Sequence, residues 1–104
     1  MKDIKNSFVV VLNTDDGIKY LAGDDPMYLS DKLDNWDTGD MIAHVFKSRI
    51  EASRHLKVAG GIASSNGQVI NKKQVIPLDV AFKGVFESRN KYNVLLSHIR
   101  WIRI

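Results

Sequence analysis

AHVFKSRIEASRHLKVA, residues 43–59, is the stretch whose reading decides the fold: an extended segment running into a capped helix. Ser48 stands three residues before Glu51. Its hydroxyl can accept from an early helix N–H while the carboxylate reaches back to the N-cap N–H. The doublet Gly60-Gly61 follows directly, and glycine is the residue a helix uses to stop in a left-handed conformation, so the helix is expected to end there. Within it Ile50, Leu56 and Ala59 can share an apolar stripe, with Arg49, Arg54 and Lys57 left in solvent. Residues 41–46, just upstream, read as a strand.

Working outward toward the N-terminus, residues 6–13 (NSFVVVLN) are β-branched and apolar without strict alternation, the pattern of a central strand covered on both faces. Thr14-Asp15-Asp16-Gly17 is a turn signal, and residues 18–22 return as the second strand of a hairpin. From Gly23 to Asp40 the character changes. Asp24, Asp25, Asp31, Asp34, Asp37 and Asp40 fall within eighteen residues alongside Pro26, Gly23 and Gly39. Asp and Asn bond nearby backbone N–H groups and favour turns, so most of this stretch is expected to be loop, with a short helical turn over 28–33. A loop of that length in a small domain draws attention as a functional element.

Toward the C-terminus, residues 62–63 and 69–70 flank Ser64-Ser65-Asn66-Gly67, read as a second turn between strands. Val75 and Ile76 precede Pro77. Leu78, Ala81, Phe82, Val85 and Phe86 then fall at i, i+3, i+4, i+7 and i+8, the stripe of an amphipathic helix, although Gly84 weakens it and leaves a strand open. Residues 92–104 (YNVLLSHIRWIRI) suit a closing C-terminal strand. The expected class is α+β: one domain over residues 1–104, a mostly antiparallel sheet with one or two helices packed on one face.

Composition narrows the function classes. Hydrophobic residues make up 44% and charged residues 26% of the 104, ordinary for a globular chain, which argues against global disorder. There is no cysteine, which removes disulfides, thiolate nucleophiles and Cys-based zinc sites. The longest apolar run, residues 8–12, is far short of a membrane span, and no signal-peptide core is evident, so a soluble, cytoplasmic protein with no membrane contact is expected. Charge is divided. Residues 1–40 hold four Lys against nine Asp, net −5, and residues 41–104 hold eleven Lys or Arg against three acids, net +8. That split gives either two surfaces of opposite sign or halves that neutralise each other on folding, and it leaves a head-to-tail homodimer open.

Two binding readings follow. Asp24, Asp25, Asp31, Asp34, Asp37 and Asp40 can imitate a row of phosphates and occupy the basic groove of a nucleic-acid-binding enzyme, with Trp36 as the apolar anchor. The competing reading has these Asp residues capping turns and Trp36 folding into the core. Alternatively, the basic half, with Lys72, Lys73, Lys91, Arg100 and Arg103 beside Tyr92 and Trp101, can bind nucleic acid by neutralising phosphates and stacking on bases. Neither catalysis nor a cofactor is indicated, since no GxSxG elbow, HExxH helix or phosphate loop organises the Ser, His and Asp residues. The segment from Asp34 to Asp40 does not fit the ligand register of a calcium loop, and His44, His55 and His98 are too scattered to hold a transition metal.

The opening hairpin around Ile18-Lys19-Tyr20-Leu21, Trp36 after an acidic loop, and Ala43-His44-Val45-Phe46-Lys47-Ser48 leading to Glu51-Ala52 together resemble small accessory proteins of phages and prophages. The likeness covers about half the chain and ends near Leu56. It implies a non-enzymatic protein that binds and disables a host protein, including defence nucleases and restriction systems; anti-CRISPR proteins are one such group.

Overall fold

The computed structural model describes residues 6–35 and 37–85. The expected C-terminal strand over 92–104 lies outside them, as do Trp36, Lys91, Arg100 and Arg103. The fold is α+β, with a four-stranded antiparallel sheet and helices packed on it. Strands β1 (Phe8–Thr14), β2 (Gly17–Ala22) and β3 (Tyr28–Ser30) are followed by helices α1 (Arg49–Arg54) and α2 (Leu56–Ser65) and strand β4 (Ile70–Pro77). The order across the sheet is β3-β2-β1-β4.

β1 is central, as its unbroken apolar run predicts. Val9, Val10, Val11 and Leu12 are all buried because the sheet is covered on both sides. Val10, Leu12 and Leu21 pack with Phe46 and with Ala52, Ala59 and Ala63 of α1 and α2. Val9, Val11 and Tyr20 pack on the opposite face with Leu33, Ala43, Leu78 and Ala81. Leu78 and Ala81 belong to a helix over 78–85, which settles that segment as helical and sets it across the sheet from α1 and α2.

The β1–β2 turn places Asp15 and Asp16 between paired Thr14 and Gly17. No residue other than glycine has positive φ among the described residues, and the positive value here falls on Gly17 at 111°. Thr14 Oγ1 closes the turn by donating to Gly17 O at 2.8 Å. β3 stands where a helical turn over 28–33 was expected.

Residues 41–46 form no full strand. Ala43 bridges Ala22 and Phe46 bridges Phe8. Since Ala22 already pairs with β3 through Tyr28, and Phe8 with β4 through Pro77, the segment must occupy the fork between β1 and β2. Paired register between those strands runs only from the turn to Val11 and Tyr20. Beyond it, His44 N–H donates to Leu21 O at 2.8 Å, and Phe8 and Phe46 exchange bonds of 2.9 and 2.8 Å. Backbone groups that would be orphaned by the fork are thereby satisfied. Side chains alternate along the wedge: Ala43 and Val45 join the β1 face bearing Val9, while Phe46 reaches the α1–α2 face and is 1% exposed.

The Ser48 cap is present, its Oγ accepting from Glu51 N–H at 3.1 Å. The expected stop at Gly60-Gly61 is not. α2 runs through both glycines to Ser65, so residues 62–65 are helical rather than strand and turn. The stop comes at Gly67, φ 73°, with Gly67 N–H donating to Ser64 O and Gln68 N–H to Ala63 O, both 3.0 Å. These two bonds define a Schellman end. Gly60 earns its place by close approach, for a Cβ there would lie 3.3 Å from Lys73 Cδ. The expected apolar stripe also needs correction: Ile50 is 69% exposed, and Ala52 takes the buried position.

Candidate functional site

The acidic stretch is built on two anchors. After β3, Ser30 Oγ accepts from Lys32 N–H at 3.0 Å and tips Asp31 outward. Leu33 and Asp34 then turn in, at 2% and 6% exposure. Leu33 O accepts from both Ile42 and Ala43 N–H, at 3.0 and 2.9 Å, pinning the loop to the wedge. Between Asp34 and its bridge partner Met41 the chain makes a tight excursion. Asn35 N–H donates to Asp40 O at 2.7 Å, Gly39 N–H donates to Asn35 O at 2.7 Å, and Asn35 Oδ1 accepts from Asp37 N–H at 3.0 Å. Thr38 Oγ1 accepts from Asp40 N–H at 3.2 Å.

Turn closure in this loop is therefore the work of Ser30, Asn35 and Thr38. The carboxylates of Asp24, Asp25, Asp31, Asp37 and Asp40 are exposed, and no hydrogen bond or ion pair engages them among the described residues. Asp15 and Asp16, by contrast, are engaged over a distance: Asp15 Oδ1 accepts from Val69 N–H at 3.0 Å and Asp16 Oδ2 accepts from Gln68 Nε2 at 3.4 Å, tying the β1–β2 turn to the connection before β4.

Asp34 departs from the expected surface. It is buried near Tyr20, whose phenol is pushed above its ordinary pKa by burial first and by the Asp34 carboxylate second. A buried carboxylate sits among fixed neighbours, so Asp34 serves the loop's attachment rather than its outer face. Asp31, Asp34 and Asp37 nevertheless line one cavity of about 500 Å³ with Lys32, Leu33, Asn35, Ile42 and Val85. Asp24 lines a second, of about 670 Å³, with Tyr28 and residues 41–45. Ile42 is common to both, so the acidic residues flank the base of the wedge on two sides. Sequence reasoning missed Lys32, Asn35, Tyr28 and His44 as neighbours of this region. The available signal was Asn35, an Asx-turn former two residues before Asp37.

The basic alternative is dispersed where it can be seen. Lys72 stands opposite Asn13 and Lys73 opposite Leu12, so as strand neighbours they project from opposite faces of β4. Lys73 lies along α2 at Gly60. Among the described residues no group of three or more His, Asp or Glu side chains is placed to hold a metal ion. His44 and His55 each use Nδ1 on a backbone carbonyl, at Gly23 (2.8 Å) and Glu51 (2.9 Å), and both rings contact Phe46, His44 edge-on at 4.6 Å between centroids and His55 tilted at 4.8 Å. Their roles are in packing the wedge. No described helix is long and apolar enough to cross a membrane. In comparisons with known proteins the chain matches no protein-family model, no curated protein and no solved structure.

Proposed function

We propose that the protein is a non-enzymatic binding protein of a phage or mobile element, acting in the host cytoplasm, that inhibits a host protein by covering a basic surface on it. The chemistry suits a nucleic-acid-binding target such as a defence nuclease, a CRISPR effector among them. The observation that supports this reading is the exposure of Asp24, Asp25, Asp31, Asp37 and Asp40, with Ser30, Asn35 and Thr38 closing the turns around the last three and no partner for any of the five carboxylates among the described residues. A groove that binds nucleic acid releases counterions to regularly spaced negative charge, and fixed carboxylates supply the same field. The loop's tight backbone bonding lowers the ordering cost of presenting them.

The test is capture from a bacterial host lysate, with and without nuclease, using tagged protein and an Asp31→Lys, Asp37→Lys, Asp40→Lys variant. A stoichiometric protein retained after nuclease by the parent and lost by the variant supports the proposal. Recovery of nucleic acid alone, or a partner held equally by the variant, overturns it.

A further inference from the structure

Two surfaces on opposite sides of the sheet carry exposed apolar side chains beside charges of opposite sign. The first is a knob on α1, where Ile50 is 69% exposed. Arg54 and Lys57 follow it at helical spacing across the His55 junction, both exposed, with Lys47 just before the cap and Val58, 46% exposed, beyond. The second is the cavity of about 670 Å³ behind the wedge, where Tyr28, Met41, Ile42 and Val45 supply apolar walls and Asp24 contributes a carboxylate. Met27, 68% exposed, and Asp25 stand in the adjoining turn.

We propose that Ile50 of one copy seats in this cavity of a second copy, with Lys47, Arg54 and Lys57 facing Asp24 and Asp25, giving a head-to-tail contact. An exposed isoleucine flanked by Lys47, Arg54 and Lys57 suits a hollow walled by Met41, Ile42 and Val45, with Asp24 in its lining and Asp25 in the adjoining turn, and both occur on this one chain. Within a single molecule the two cannot meet, because α1 covers one face of the sheet while Met41, Ala43 and Val45 pack on the other. A two-fold contact of either surface with itself would oppose like charges. The arrangement is therefore heterologous, and repeated it builds chains or a closed ring. The contact shares Asp24 and Asp25 with the proposed inhibitory surface but not the loop over 31–40, and it needs no host partner, so its failure is separable from that of the proposed function.

The test is sedimentation of the purified full chain from about 10 μM to about 1 mM, the range in which a small contact shows itself. In low salt the average mass should rise above the 11.7 kDa of one chain, and raising salt to about 0.5 M should weaken association severalfold. Ile50→Glu and the pair Asp24→Lys with Asp25→Lys each replace exposed side chains, so their melting should match the parent. Each variant alone should be monomeric. Mixed, they retain one intact contact between them and should form a 1:1 dimer that grows no further. A parent that stays monomeric throughout, an Ile50→Glu chain that associates like the parent, or a mixture that fails to pair overturns the proposal.

Discussion

Asp34 and Asp37 are three residues apart, identical in chemistry, and opposite in situation. Asp34 is 6% exposed against Tyr20 while Asp37 is exposed on the loop tip. Asp34→Lys places an uncompensated cation in a buried site and should cost about 3–5 kcal/mol, whereas Asp37→Lys should stay within about 0.5 kcal/mol of the parent in denaturant melts. Equal effects at the two positions would show that burial is not what separates them. Tyr20 makes a pH prediction at the same place. Its folded pKa is raised above the ordinary value by burial and by Asp34, so at high pH the unfolded chain loses the proton first. Stability from this group is complete below about pH 10 and falls as pH rises from there through the folded pKa. Thermal melts across this alkaline range should show a steeper decline for the parent than for Tyr20→Phe. The sequence could not separate these residues because Asp34 and Asp37 both sit in a polar stretch with no periodicity to mark a buried face. Ile50 failed for the converse reason. Its hydrophobicity suggested the core, but Ala52 is the α1 residue that faces Phe46.

At the scale of elements, what was legible was what local chemistry dictates. The hairpin followed from an apolar run meeting Thr-Asp-Asp-Gly, the start of α1 from Ser48 and Glu51, and the helix over 78–85 from its i, i+3, i+4 stripe. Gly60-Gly61 misled because a glycine pair inside a helix is unfavourable on propensity alone, and the packing that tolerates it, Lys73 against Gly60, is a contact with β4. The two residues should now answer differently to substitution. Gly61 is exposed and a Cβ there meets nothing within 4 Å, so Gly61→Ala should stabilise the protein by about 0.5–1 kcal/mol. Gly67, at φ 73° in the Schellman end, should lose about 1–2 kcal/mol on the same change. Paired melts decide it, and the reverse order would return the helix stop to Gly60-Gly61. The wedge over 42–46 was legible only as extended chain. Its alternation is visible, but the fork that receives it is made by the divergence of two strands distant in sequence.

The opposed charges of the N- and C-terminal halves suggest two bodies, and the topology argues otherwise. β4, from the basic half, pairs along the whole of β1, from the acidic half, from Phe8 opposite Pro77 to Thr14 opposite Ile70. The wedge then ties both β1 and β2 to the start of α1, and Phe46 at its end is among the largest fully buried side chains. Among the described residues both core clusters draw side chains from before and after residue 40, so the described fold should open as one cooperative unit around β1. Native-state hydrogen exchange tests this directly. Amides of β1 bonded to its neighbours should exchange only through global unfolding, with an opening free energy equal to that from denaturant melts, on the order of 5–15 kcal/mol for a domain of this size. Amides of α2 and β4 should approach the same ceiling. β3 is a three-residue edge strand that begins at half-exposed Tyr28, so its amides should exchange through local opening at much lower cost. If β1 and β2 shared one ceiling while α2 and β4 shared a clearly lower one, the halves would be separate cooperative units, and the charge division would mark a structural boundary after all.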